Sequence, residues 1–383
     1  MRKETRLFIP GPTPVPPAVA EAMARPLIGH RTEDFAQLYA RLEERLRVVL
    51  GTKSDIVILT SSGTGGMEAA VANLVSPGDP VLALVTGKFG ERFAELAKVY
   101  GGDVEVMEFG WGNTIDLEAV EGKLKARRFK VVLATHNETS TTVVNDIRGL
   151  GELTRRYGAL LVVDAVSSAG GMEIRMDEWG VDVLVTASQK ALMVPPGLAI
   201  VAASETAWKA MEESKSPRYY LDLLAARKSK QKYNTPYTPA VSLFVGLDRA
   251  LELILAEGLE KVYRKHRLLA RAVRAAVRAL GLELMVPDEY ASPVVTGVWA
   301  PESIEADRLR KEIASRYGVL LAGGQGPLKG RIFRIAHMGY VDAVDILGAL
   351  GALELGLYRF GFKFKLGEGL AQAQAVLAKE GEE

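Results

Sequence analysis

The sequence predicts an α/β fold in which a mostly parallel sheet of seven strands, covered by helices, forms a large domain and a smaller α+β domain follows. Three observations predict it. Short apolar, β-prone runs recur at 56–59, 81–85, 104–107, 131–134, 160–163, 181–186 and 198–202. Helical or polar stretches at 66–75, 92–100, 117–126 and 147–157 separate them, the rhythm of strand–helix–strand units. Past residue 258 the pattern changes to one long amphipathic helix with a few strands and a helix after it.

The first 18 residues read as an extended arm, because Pro10, Pro12, Pro14, Pro16 and Pro17 each fix their own φ and disfavour helix in the residue before. Between 34 and 50 the apolar residues Phe35, Leu38, Leu42, Leu46 and Val49 recur at helical spacing, and Gly51 ends the run. The seven-run alternation then occupies the large domain, residues 19–258, interrupted by a basic, proline-bearing stretch at 215–239 before a helix over 241–257. In the small domain, 259–383, the expected elements are a helix over 259–280, strands at 282–286 and 294–299, a helix at 304–317 and a strand at 332–335.

Composition narrows the function. With 48 basic and 47 acidic residues among 383, the net charge is +1, so the chain carries no electrostatic footprint for nucleic acid or an anionic membrane, and a small-molecule partner is expected. There is no cysteine, which removes thiolate metal sites, disulfides and cysteine nucleophiles. His30, His136, His266 and His337 show no metal-ligand spacing, so no metal is expected. No apolar run reaches the roughly 20 residues of a bilayer span and the first residues lead into no signal-peptide core, so a cytoplasmic location is expected.

In parallel sheets, ligands bind beyond the carboxyl ends of the strands, and three distinctive stretches lie at such ends. SSGTGG (61–66) follows the first run and opens a helix; backbone N–H groups of Ser62, Gly63 and Thr64 there suit an anion, or simply cap the helix. Asp164 closes the run 160–163, where a buried carboxylate needs a cation unless it only caps the next turn. Lys190 stands in SQKALMVPPG (188–197), between a strand end and a rigid turn. A lysine, a carboxylate and a phosphate cradle at converging strand ends are the contacts that pyridoxal phosphate requires. Phe89, in TGKFG (86–90), either stacks on the cofactor ring or packs in the core. Arg334, in the alternation RIFRI (331–335), offers a planar fork for an α-carboxylate or makes a surface ion pair.

With SGTGGMEAA (62–70), THNETS (135–140), VDAV (163–166) and SQKALMVPPG (188–197) in one chain, the sequence resembles the class V, fold type I pyridoxal-phosphate aminotransferases. The branch it resembles most is that of the alanine/serine:glyoxylate or pyruvate enzymes, and the likeness runs from PGP (10–12) to Arg334, with GLYRFG (356–361) also similar. The resemblance implies that Lys190 forms the internal aldimine, Asp164 pairs with the pyridine nitrogen, and Gln189 and Thr139 hydrogen-bond the ring edge. It implies further that Phe89 stacks on the ring, that Ser62, Gly63 and Thr64 hold the phosphate, and that Arg334 binds the substrate carboxylate. Thr235 and Thr238, in YNTPYT (233–238), would reach the partner subunit's phosphate in a homodimer with active sites at the interface. The implied reaction is transfer of an amino group from alanine or serine to glyoxylate or pyruvate by a ping-pong route. Class V enzymes acting on aspartate, phosphoserine or aminoethylphosphonate are the alternatives, as is a non-catalytic carrier of the cofactor; a cysteine desulfurase is excluded by the missing cysteine.

Overall fold

The computed structural model describes residues 5–379. The chain runs β1 (Arg6–Phe8), α1 (Pro17–Met23), α2 (Glu33–Leu50), β2 (Asp55–Thr60), α3 (Gly63–Leu74), β3 (Pro80–Val85), α4 (Lys88–Val99), β4 (Asp103–Glu108), α5 (Leu117–Ala126) and β5 (Val131–Thr135). A short hairpin, β6 (Asn137–Glu138) and β7 (Val143–Val144), precedes α6 (Ile147–Tyr157), β8 (Leu160–Asp164), α7 (Met176–Trp179), β9 (Val183–Ala187) and β10 (Leu198–Ala203). Then come α8 (Glu205–Glu212), α9 (Leu223–Lys230), α10 (Val241–Glu257), α11 (Leu259–Ala279), β11 (Val295–Trp299), α12 (Ala306–Tyr317), β12 (Val319–Gly323), β13 (Ile332–Ala336), α13 (Ala343–Arg359) and α14 (Glu368–Leu377).

All seven expected strands form one sheet in the order β2-β10-β9-β8-β5-β3-β4, parallel except for β10, which runs antiparallel to β2 and β9. Period-two alternation sends neighbouring side chains to opposite faces, so Ile56 and Ile58 join the core with α2, α5, α6 and α10, while Val57 and Leu59 join the core with α3, α4, α8 and α9. Burial on both faces explains why these runs read as continuously apolar. Among the described residues no helix is long and apolar enough to cross a membrane.

A second sheet, β1-β12-β13-β11, packs on α11, α12 and α13. Here the structure corrects the sequence reading in four places. The arm ends at Pro16 rather than residue 18, because Pro17 starts α1, a position where its fixed φ suits a helix and its missing N–H costs nothing; residues 1–4 lie outside the described residues. Arg6–Phe8 pairs in parallel with Val319–Leu321, so the arm enters the second sheet as a strand. The run 282–286 is not a strand: its only ladder pairing is the Leu284–Val298 bridge, just before Pro287. The basic stretch 215–239 contains α9, capped by Asp222, which accepts hydrogen bonds from the N–H groups of Leu224 and Ala225.

Candidate active site

The carboxyl ends of β2, β8 and β9 carry the three stretches singled out in the sequence. β8 ends on Asp164, and β9 leads through Ser188 and Gln189 to Lys190. The lysine turn is tied internally: Ser188 Oγ donates to Pro195 O at 2.8 Å and accepts from Leu198 N at 3.2 Å, and Met193 N donates to Lys190 O at 3.0 Å. The arm holds it from outside. Thr13 N donates to Gln189 O at 3.1 Å, Thr13 Oγ1 donates to Lys190 O at 2.7 Å, and the lysine's own Nζ donates to Pro10 O. Gly11 has φ +137°, and a Cβ there would lie 2.7 Å from Lys190 Nζ, so only glycine lets the arm approach this closely.

Four ionisable groups converge. Asp164 is 4% exposed and one of its oxygens accepts a hydrogen bond from Val166 N at 2.8 Å; burial pushes its pKa up to about 6 against the pull of that bond and of Lys190 and Arg92. Burial lowers the Lys190 ammonium to about 8, with Asp164 opposing and Arg334 and Arg92 assisting. Arg334, 5% exposed, is brought down to about 10 by burial although Glu138 favours its charge. Its Nε and Nη2 donate to Gly323 O at 3.0 and 2.7 Å, and its Nη1 donates to Thr139 O at 2.5 Å. Glu138, fully buried, is pushed up to about 7 by desolvation despite accepting hydrogen bonds from Gly90 and Ser140. Carboxylates titrating near 6 and 7 beside an amine near 8 can hold or release protons at neutral pH, the property of an acid–base site.

Around these lie the other expected residues. Ser62 is the N-cap of α3, its Oγ accepting from Gly65 N at 3.3 Å, so Gly63 and Thr64 occupy the first turn of a helix that starts three residues earlier than expected. Phe89 lies on the first turn of α4, with the Arg92 guanidinium 4.8 Å from its ring centre; Arg92 Nη1 donates to Thr64 Oγ1 at 3.0 Å and so joins the ring to the anion loop. Thr139 is buried and its Oγ1 donates to Ser167 Oγ at 3.4 Å. Gln189 has a buried Oε1 with no hydrogen-bond partner among the described residues, an acceptor left waiting for a donor. That orphaned acceptor, the buried Asp164 and the lysine amine fit pyridoxal phosphate as the resident cofactor.

Within one chain Thr235 and Thr238 do not join this group. Thr235 Oγ1 donates to Tyr237 O at 2.7 Å, and Thr238 is exposed. The chain just past them is fastened to the end of β2, where Ala240 N donates to Thr60 Oγ1 at 2.9 Å, and Tyr220, stacked on Tyr237 at 5.5 Å, donates from Oη to Thr60 O at 3.2 Å. Sequence reasoning gave no role to Glu138, Arg92 or Pro10. An acid inside the run of small polar residues 135–142 and an arginine one helical turn after Phe89 were the signals for the first two; a backbone carbonyl such as that of Pro10 leaves none.

The family model described as Aminotransferase class-V matches residues 6–327. The "Soluble hydrogenase, small subunit" of Synechococcus sp. is 43% identical over 99% of this chain and 100% of its own length. The L-aspartate–glyoxylate aminotransferase of Paracoccus denitrificans is 39% identical, covering 98% of this chain and 96% of its own, and the serine–glyoxylate aminotransferase of Methylorubrum extorquens is 37% identical, with 97% and 95% covered. Among solved structures, the ureidoglycine–glyoxylate aminotransferase of Bacillus subtilis superposes with a TM-score of 0.94 at 31% identity, covering 99% of both chains. Fold, site and relatives agree, and the chain belongs to the class V aminotransferases, the pyridoxal-phosphate-dependent enzymes of fold type I.

Proposed function

We propose that this aminotransferase moves the amino group of a small amino acid, alanine or serine, to glyoxylate or pyruvate. The observation that carries this reading is the placing of Lys190 within electrostatic reach of both Asp164 and Arg334 without a contact ion pair among the three, so that each charge is left for a ligand. Bound pyridoxal phosphate supplies an electron sink that lets the donor's α-proton leave and return. Lys190, an amine titrating near 8, exchanges that proton at the donor's α-carbon near neutral pH. Asp164 would be the anion for the ring nitrogen, Gln189 and Thr139 would hydrogen-bond the ring edge, and Phe89 would cover a ring face. Ser62, Gly63 and Thr64 take the phosphate at the start of α3. Arg334 has five N–H donors by its chemistry and spends three on carbonyls, which leaves two for a carboxylate. Thr235 and Thr238 extend toward a second subunit's phosphate, which makes the enzyme a homodimer; light scattering at about one subunit mass overturns that part.

The test is spectroscopic. The protein is mixed with pyridoxal phosphate and then with L-alanine or L-serine in the absence of acceptor. Bleaching of the visible band and its return on adding glyoxylate support the reading; a band that no amino acid bleaches, or no band at all, overturns it.

One observation favours a second donor. Arg92 lies close enough to act on the charges of Lys190 and Asp164, and among the described residues it makes no ion pair, so a donor with a second acid group, such as aspartate, has a cation to meet. The donor panel separates the two readings. A hydrogenase role, the one in the name of the Synechococcus relative, finds no thiolate here to ligate nickel or an iron–sulfur cluster.

A further inference from the structure

The helix that carries Phe89 has no cap of its own. Its N-cap is Gly87, with no side chain to accept from the first-turn amides, and those amides are buried or partly buried. The acceptors come from the β6–β7 hairpin, some fifty residues on. Ser140 Oγ accepts from Lys88 N at 2.9 Å, and one carboxylate oxygen of Glu138, Oε2, accepts from Phe89 N at 3.0 Å and Gly90 N at 3.1 Å. The other oxygen, Oε1, accepts from Ser140 N at 3.1 Å and Ser140 Oγ at 2.5 Å. Both oxygens are therefore engaged, one by α4 and one by the hairpin. Between Glu138 and Ser140 lies Thr139, whose carbonyl receives Arg334. Close packing confirms the join: a Cβ at Gly87 would lie 2.4 Å from Ser140 Oγ and 2.7 Å from Glu138 Cγ.

We propose that Glu138 is a positioning residue of this enzyme, whose carboxylate clamps the first turn of α4 to the hairpin and so fixes the Phe89 ring and the Arg334 guanidinium as one unit. The inference rests on the reading that Phe89 stacks on the cofactor and Arg334 grips the substrate carboxylate. A carboxylate is the side chain that serves here, because all four of its hydrogen-bond partners are donors. The isosteric Glu138→Gln has one acceptor oxygen: turned one way its NH2 meets the N–H groups of Phe89 and Gly90, turned the other it meets Ser140 N–H and forces the Ser140 hydroxyl to accept instead of donate, so one side of the clamp weakens. The field of the negative charge beside Arg334 disappears as well.

A second buried cap provides the control. Glu354, 2% exposed, accepts from Gly367 N at 2.6 Å and Leu370 N at 2.9 Å at the start of α14, and neither α13 nor α14 carries a residue of the site. In the holoenzyme, E138Q is expected to raise the KM for the amino donor by about tenfold or more, the loss of a charged hydrogen bond, and to weaken the visible circular dichroism of the bound cofactor. E354Q is expected to lower Tm and leave both unchanged. In the cofactor-free protein, amide exchange over 88–90 and 140 is expected to quicken at least about tenfold in E138Q. This last readout stands even if the proposed donor and acceptor are wrong, since it needs neither. Unchanged exchange, or faster exchange with KM and dichroism like those of the parent, overturns the proposal by reducing Glu138 to a helix cap. Should E138Q fail to fold, Ser140→Ala removes both the Lys88 acceptor and the hydroxyl bond to Glu138 Oε1, the hairpin side of the clamp; a KM unaltered in that variant overturns it equally.

Discussion

Two aspartates mark opposite ends of the main sheet: Asp55 opens β2 and Asp164 closes β8, a strand parallel to it. Around Asp55, the charges of Lys230, Arg227, Glu43 and Arg47 each touch an opposite one. Lys230 Nζ lies 2.5 Å from Glu43 Oε1 and 2.6 Å from Asp55 Oδ1, Arg227 Nε lies 2.8 Å from Asp55 Oδ2, and Arg47 lies 2.9 Å from Glu43. Burial pushes the Asp55 carboxyl up, but the bonds from Lys230 and Arg227 outweigh it and the group titrates below the ordinary carboxylate range. At the carboxyl end Asp164, Glu138 and Arg334 are buried more deeply than Asp55, Arg227 or Arg47, yet among the described residues neither they nor Lys190 form an ion pair with one another; their bonds go to backbone groups and hydroxyls. Paired charges tie α2, β2 and α9 together. Separated charges are a standing cost in stability that a ligand removes.

The sharpest way to break this contrast is to remove one cation from each end. Lys190→Ala is expected to lower kcat/KM at least about a thousandfold while leaving the cofactor-free protein no less stable, because the lysine's burial is itself a cost. Steady-state kinetics and thermal melts check the two halves. Lys230→Met reverses the pattern: it leaves Glu43, 3% exposed, short of a partner, with an expected loss of about 3 kcal/mol in denaturant unfolding and kcat/KM within about twofold of the parent. If K230M were as stable as the parent, the paired end would not be what stabilises the sheet. Arg334→Lys keeps the charge and loses the fork, and is expected to reduce kcat/KM about fiftyfold, mostly through KM.

The paired end and the separated end were not equally legible in the sequence. The seven strands could be read because β-prone runs buried on both faces are continuously apolar and bounded by turns, and their ends placed Ser62, Asp164 and Lys190 together. Arg334 could be found because β13 alternates, although its neighbours Ile332 to Ala336 prove buried on both sides. The arm's strand could not: three residues carry little periodicity, and the partner, Val319–Leu321, lies more than three hundred residues away. Glu138 was visible in THNETS, but a lone acid among small polar residues is usually solvated, and only the fold shows four donors around it. α13 escaped because Gly348, Gly351 and Gly356 interrupt a segment apolar on most sides, which blurs the helical period. Lys230 gave no sign of its own, since α9 lies in a basic, proline-bearing stretch in which no single lysine stands out.

The smallest effect is the most discriminating, because its sign depends on the cofactor. Asp164 titrates near 6 in the folded chain against an ordinary value of 3.8, so between those pH values the folded state binds the extra proton. Its contribution is fully present below pH 3.8 and is lost as pH rises through 6. Asp164→Asn keeps an oxygen for Val166 N and never ionises. The cofactor-free variant is therefore expected to match the parent near pH 4 and to exceed it at pH 8 by on the order of 2 kcal/mol. His136 and His266, both lowered to about 4 by burial, also destabilise the fold on acidification, but they do so in parent and variant alike and cancel in the difference. Asp55→Asn should behave in the opposite way, with stability lost at neutral pH and the loss disappearing as the parent's carboxyl is protonated. If Asp164 takes the proposed place opposite the ring nitrogen, added pyridoxal phosphate would give the parent a ligand stabilisation that the asparagine variant cannot match. Melts at pH 8 with and without the cofactor should cross: D164N the more stable without it, the parent the more stable with it. If D164N is the less stable in both, Asp164 is already paired in the empty chain, and the two ends of the sheet do not differ in the way their geometry states.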